Sequence, residues 1–274
     1  MSDLTTLPPL RDSLTEHGLL ANKGFGQHFL LDLNITRKIA RLAELNPGDW
    51  VIEVGPGPGG LTRALLETGA QVIAVEMDRR FEPLLSELSV AADGALQTIF
   101  ADALDVDETA IAHGHPTAIV ANLPYNVGTP LLIKWLTGPF TATSLTLMFQ
   151  KEVAERIVAT PGSDAYGRLA VITQATAQAR IIMDLPARAF TPPPKVASAV
   201  VRLVPLSDPP NTALLDALQK VTAAAFGQRR KMLRSSLKTL GGATLCETAG
   251  ISPDVRAETI DVAGFLALAR ASLA

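Results

Sequence analysis

Short apolar runs of strand length recur along the chain, each separated from the next by a segment long enough for a helix, and this recurrence restricts the fold more than any other feature. The runs lie at residues 50–54, 71–76, 95–100, 117–121 and 144–149. They are continuous rather than alternating, as expected of strands covered on both faces, and strands alternating with helices build a parallel sheet. The expected architecture is therefore α/β, with a helix at 61–67 crossing from the first strand to the second. Ahead of the sheet, Asn34 is expected to cap a helix over 35–45 that Pro47 and Gly48 end.

Two later runs, 179–185 and 199–204, flank the proline-rich stretch Phe190 to Lys195 and read as terminal strands joined by a stiff loop. Residues 205–211 (PLSDPPN) then read as a linker, because three prolines without an apolar period cannot continue a core strand. Beyond it, 212–226, 229–240 and 257–273 carry apolar residues at helical spacing. With 274 residues and 47% hydrophobic content there is enough core for two domains. The boundary is expected to divide residues 1–205 from an all-helical domain at 206–274. Charge divides in a related way: from Phe190 to Gly242 eight basic residues face two acidic ones, so the rest of a chain of net charge −3 is net −9. Such polarity suits a polyanion partner, and equally a solvated helix face. Arg229, Arg230, Lys231, Arg234 and Lys238 fall within ten positions; on one helix Arg230, Arg234 and Lys238 would form a stripe.

Between the first expected strand and helix lies Glu53-Val54-Gly55-Pro56-Gly57-Pro58-Gly59-Gly60. Glycines here let a ligand approach the backbone near a helix N-terminus, and a carboxylate ending the next strand, Glu76, can take both hydroxyls of a ribose. The loop satisfies the dinucleotide-binding fingerprint as well as a methyltransferase one. Glu53 tips the balance: a carboxylate is repelled by a pyrophosphate but attracted by the sulfonium and ammonium of S-adenosylmethionine. Asp102, after the third strand, is placed to accept from an adenine amine, and equally to cap a turn.

Asn122-Leu123-Pro124-Tyr125 follows the fourth strand, at the carboxyl edge where such sheets bind ligands. An exocyclic adenine amine is a weak nucleophile because its lone pair is delocalised into the ring. The Asn122 side-chain oxygen and the Leu123 carbonyl can each take one amine hydrogen, which leaves the lone pair aimed at a methyl donor. Pro124 stiffens the backbone on either side, and Tyr125 offers a flat face for a base. The absence of a cysteine nucleophile from every motif argues against carbon methylation of cytosine.

These motifs resemble those of the ribosomal RNA adenine dimethyltransferases, specifically the bacterial small-subunit branch. The resemblance runs nearly end to end, through KGFGQHFL at 23–30, the Gly55 loop, NLPYN at 122–126, FQKEVAER at 149–156, YGRL at 166–169, FTPPPKV at 190–196 and FGQRRK at 226–231. It implies a Rossmann-like class I fold that binds S-adenosylmethionine, with a small helical C-terminal domain. Residues His28, Leu30, Gly55, Glu76, Asp102 and Asn122 would contact the cofactor, while Tyr125 and Phe190 would sandwich the target adenine. The implied product is two adjacent adenosines near the 3′ end of 16S ribosomal RNA, each methylated twice at N6 within a maturing 30S particle. Lys195 and the five C-terminal cations would bind that RNA. His28 departs from the family, which usually has Asn there; an imidazole makes one hydrogen bond per nitrogen and cannot reproduce an amide.

A non-catalytic assembly or transcription factor on the same fold is the competing expectation, opposed by the intact Asn122 and Tyr125. A nicotinamide-dependent dehydrogenase is the other, opposed by the lack of a hydride-transfer constellation. The lone Cys246 has no partner for a disulfide or a zinc site, so no metal is expected. With neither a signal peptide nor an apolar run of spanning length, the expectation is a cytoplasmic monomer.

Overall fold

Val51, Ile52, Val72, Ile73 and Ile119 are at most 1% exposed, so the strands that hold them are covered on both faces. The computed structural model describes residues 4–19 and 27–274; Lys23, Gly24, Phe25 and Gly26 of the first family motif lie outside the described residues. Along the chain come α1 (Leu10–Glu16), β1 (Phe29–Leu30), α2 (Leu33–Leu42), β2 (Trp50–Val54), α3 (Gly60–Glu67), β3 (Gln71–Glu76), α4 (Glu82–Ala91), β4 (Leu96–Phe100) and α5 (Glu108–Ile111). There follow β5 (Thr117–Asn122), α6 (Gly128–Thr137), β6 (Leu145–Gln150), α7 (Lys151–Val158), α8 (Arg168–Thr176), β7 (Ala177–Leu185), β8 (Phe190–Thr191) and β9 (Ser198–Pro205). The last elements are α9 (Thr212–Gly227), α10 (Leu233–Ser236), α11 (Gly242–Thr248) and α12 (Val262–Ala271).

Seven strands form one sheet in the order β4-β3-β2-β5-β6-β9-β7. The pairings from β4 through β6 are parallel, and β9 runs antiparallel to β6. The short strands β1 and β8 pair by themselves, with Leu30 opposite Phe190. Asp32, not Asn34, caps α2: its carboxylate accepts from the Asn34 N–H at 2.8 Å, so the helix starts earlier than expected and ends at Leu42.

Two compact units divide the chain. The first comprises Met1–Trp135, Pro139–Ala154 and Ile181–Leu203; the second comprises Leu136–Gly138, Glu155–Arg180 and Val204–Ala274. Residues 155–180, which a cut at residue 205 assigns to the first domain, thus pack with the C-terminal helices. Tyr166 shows why: it is fully buried in the second core, edge-on to Phe226, and its hydroxyl donates to the Ile260 carbonyl at 2.9 Å.

The continuous helix expected over 229–240 is not formed. The chain turns at Gln228, Met232 bridges to Arg256, and the Leu233 and Arg234 amides donate to the carbonyls of Val255 and Pro253. Only α10 and a short 3-10 turn at Lys238–Leu240 follow. Anchoring of Leu233 and Leu237 in the core, both 0% exposed, together with these cross-chain bonds, overrides helical periodicity, so the expected stripe of Arg230, Arg234 and Lys238 does not exist as one helix face. Near the C-terminus, Asp261 caps α12 through the Gly264 amide and delays its start to Val262, behind a 3-10 turn at Ala257–Thr259.

Candidate active site

From β2 the chain runs outward to β3 and β4, then returns to the other side of β2 as β5. The loops leaving β2 and β5 therefore sit side by side where the connectivity reverses, the position at which sheets of this kind bind ligands. Gly55, at φ +72°, lies in that gap; a Cβ there would meet Pro124 and Asn122 only at ordinary contact distance, so the backbone angle rather than space selects glycine. At Gly60 space decides: a Cβ would stand 2.6 Å from the Leu30 carbonyl oxygen.

A cavity opens between the two loops, with His28, Leu30, Gly55, Glu76, Asn122, Leu123 and Tyr125 all on its wall. Glu76 is buried and oriented by the backbone: one carboxylate oxygen accepts from the Gly57 amide at 3.0 Å, the other from the Asp78 amide at 2.8 Å. Each oxygen keeps a lone pair, enough for two ribose hydroxyls. Burial holds the Glu76 carboxyl above its ordinary pKa. Glu53 is more extreme. It is 1% exposed and on the cavity wall, with Oε2 lacking a hydrogen-bond partner, and burial pushes its pKa up to about 8. A bound cation would draw the proton from Glu53 and pair with its unsatisfied oxygen, so a wall that carries both Glu53 and Glu76 suits a cationic nucleoside such as S-adenosylmethionine.

On the opposite wall, the Asn122 Nδ2 donates to the His28 carbonyl at 3.2 Å, which fixes the amide and leaves its Oδ1 as an acceptor. Tyr125 and Ser198 share a hydroxyl hydrogen bond of 2.8 Å, and burial raises the phenol pKa. The His28 ring lies 5.4 Å from the Tyr125 ring, and its Nδ1 is 2.8 Å from the Pro192 carbonyl oxygen. This histidine thus ties Asn122 and Tyr125 of the wall to Pro192 behind it, a role that needs no amide.

Two expected residues lie off the wall. Asp102 Oδ1 accepts from the Leu104 amide at 2.9 Å, closing the turn after β4. Phe190 is 3% exposed within the core cluster that also contains Leu30 and Met148. The sequence reading missed Asp78 and Ser198. Asp78 is on the wall, held below its ordinary pKa first by Arg80, and receives a hydrogen bond from Gln27. It follows Glu76 by two residues, a local signal that was available; Ser198 reaches Tyr125 from 73 residues away and gave none.

Lys195, Arg230, Lys231 and Lys238 are exposed, and among the described residues none has an acidic side chain within ion-pair distance. Arg229 and Arg234 are engaged: Arg234 pairs with Asp254 at 2.6 Å, and Arg229 reaches the Asp164 carbonyl and Glu258.

Residues 18–272 match the family model for ribosomal RNA adenine dimethylase. A ribosomal RNA small subunit methyltransferase A from Phenylobacterium zucineum is 72% identical over 99% of this chain and 95% of its own length. Its counterpart from Caulobacter vibrioides is 70% identical over 93% of this chain and 98% of its own length. Among solved structures, a dimethyladenosine transferase from Plasmodium falciparum superposes with a TM-score of 0.73 at 25% identity, covering 88% of this chain and 96% of that one. The 23S ribosomal RNA methyltransferase ErmE gives 0.67 at 26% identity, covering 90% and 100%. With a cavity that suits S-adenosylmethionine and a family match across nearly its whole length, the chain belongs to the ribosomal RNA adenine dimethylase family and is a methyltransferase of the Rossmann-like class I fold.

Proposed function

We propose that this enzyme methylates N6 of two adjacent adenosines near the 3′ end of 16S ribosomal RNA, twice each, during maturation of the 30S particle. One observation carries the chemistry: the Asn122 amide is pinned through Nδ2, so its Oδ1 is presented as an acceptor beside the Leu123 carbonyl. Each acceptor takes one N6 hydrogen, drawing the nitrogen toward tetrahedral geometry and freeing its lone pair. The first transfer leaves N6 positively charged, and it sheds one proton to solvent; the hydrogen that remains is still held by one acceptor, so the same pair serves the second transfer, after which the last proton leaves in the same way. S-adenosylmethionine supplies an electrophilic methyl group. Glu76 orients its ribose and Glu53 faces its cationic end. Leu30 and His28 close the wall between cofactor and base.

Tyr125, fixed by Ser198 on one side and by the His28 ring on another, gives the base its stacking face. Phe190, expected as the second face, supports the β1 and β8 pair from the core in this structure. For Asp102 the reading is a loop that lies against the adenine of the cofactor. Docking on the particle falls to Lys195, Arg230, Lys231 and Lys238, which are free to meet phosphates, with Arg229 and Arg234 as secondary contacts. The enzyme is read as acting as a monomer, in the cytoplasm where its ribosomal substrate is assembled. No helix among the described residues is long and apolar enough to cross a membrane.

The test uses 30S particles lacking the modification and labelled cofactor, with the label mapped along the RNA. Wild type is expected to label two neighbouring adenines near the 3′ end. Asn122→Ala is expected to retain cofactor binding and lose at least ~10²-fold in single-turnover rate. A near-normal rate in that variant removes the acceptor pair from the mechanism.

A further inference from the structure

Away from the cavity, on the second turn of α6, the Lys134 ammonium satisfies three acceptors at once. It donates to the Ala103 carbonyl at 2.8 Å, to the Val106 carbonyl, and to the Glu108 carboxylate at 2.8 Å. Glu108 is 4% exposed and accepts in addition from the Trp135 Nε1 at 2.7 Å, so the adjacent residues Lys134 and Trp135 grip one carboxylate. Two of the three lysine acceptors are main-chain carbonyls. The ammonium therefore fixes the path of the loop itself, not merely a side chain on it.

That loop has its other end at the cofactor wall. It leaves β4 at Ala101, whose amide donates to the Glu76 carbonyl at 3.0 Å, and is tightened by the Asp102 to Leu104 turn. At its N-terminus α6 grows directly out of the Asn122 loop: Asn126 and Val127 line the cavity, and the Leu131 amide donates to the carbonyl of Val127, the residue just before the helix. We propose that Lys134 is a positioning residue for methyl transfer, holding the loop between β4 and α5 against α6 so that the Glu76 wall and the Asn122 wall keep a fixed spacing. No group on Lys134 touches the cavity. Its effect passes through Ala103 and Val106. The inference rests on the reading of the Asn122 loop as the methyl-accepting wall, but the cofactor-side effect does not.

A positioning role differs from simple stabilisation in what it moves. Lys134→Met keeps the aliphatic stem and removes all three donors, and Lys134→Arg restores several. The expected result for Lys134→Met is S-adenosylmethionine affinity weakened about tenfold by calorimetry, with KM for the cofactor rising by a similar factor and kcat falling about tenfold as the two walls lose their spacing, measured well below the melting temperature. Lys134→Arg is expected to return affinity to within about threefold of wild type. Should Lys134→Met fail to fold, Lys134→Gln, which keeps a donor to the loop, is measured in its place and should weaken affinity by a smaller factor. A folded variant with a lowered melting temperature but wild-type cofactor affinity and KM overturns the proposal and leaves Lys134 a structural staple. Failure of the underlying reading shows itself separately, as a normal single-turnover rate in Asn122→Ala beside weakened cofactor binding in Lys134→Met.

Discussion

The cavity of the first unit and the basic segment of the second treat their charges in opposite ways. In the cavity, Glu53 and Glu76 are buried, and the backbone orients Glu76 while leaving Glu53 an unsatisfied oxygen. In the basic segment the cations stand in solvent, some paired with nearby carboxylates and some not. Burial couples a charge to folding and to the protonation state, whereas exposure leaves it available to a partner at little structural consequence. The two regions should therefore respond to mutation, pH and salt in different ways.

The largest contrast is expected in pH dependence. Burial first, and then the neighbouring negative charge of Glu76, raises the folded pKa of Glu53 from 4.5 to about 8, so between these values the folded state holds a proton that the unfolded state has released. Stability from this group is fully present below pH 4.5 and is lost as pH rises toward 8, with a slope of at most about 1.4 kcal/mol per pH unit for one proton. Denaturant titrations at several pH values should show Glu53→Gln flattening that decline, and an unchanged decline would mean that Glu53 is ionised in the folded chain. Next in size is Gly60→Ala. A methyl group 2.6 Å from the Leu30 carbonyl has to displace main chain, at a cost of about 1–3 kcal/mol in urea unfolding; a change under ~0.5 kcal/mol would show the β1 ribbon to be compliant rather than fixed.

The smallest effects belong to the basic segment. Lys231→Gln and Lys238→Gln should each lower the salt dependence of 30S binding by roughly 0.7–0.9 log units per phosphate contact, without altering stability or cofactor affinity. Arg234→Gln breaks the pair with Asp254 and should change the salt slope less. Equal slopes for all three variants would erase the distinction between free and engaged cations.

How much of this was legible in the sequence follows from the kind of signal. Gly55, Glu76 and Asn122 could be read together because strand, loop and helix in that order fix where each loop emerges on a parallel sheet, and topology then brings the loops side by side. Residues 229–240 rested on periodicity alone, and tertiary bonds from Val255 and Pro253 overrode it. Membership of 155–180 in the second unit was hidden for a related reason: its partners lie far ahead in the chain, and no local pattern announces them. Phe190 shows a third limit, since a motif places a residue in a neighbourhood but not on a particular side of a strand pair.

The hydrogen bond from Tyr166 to Ile260 spans 94 residues, and this has a consequence during protein synthesis. The polypeptide leaves the ribosome in one direction at about 5–20 residues per second, so Tyr166 and its apolar neighbours emerge roughly 5–19 s before the segment that covers them. In that interval the whole of Ile181–Leu203 is delivered, which completes the first unit. The nascent chain can therefore possess a finished nucleotide-binding half while an apolar surface around Tyr166 is still uncovered, a natural point for a chaperone to engage. A truncation ahead of Ile260 would make that exposure permanent.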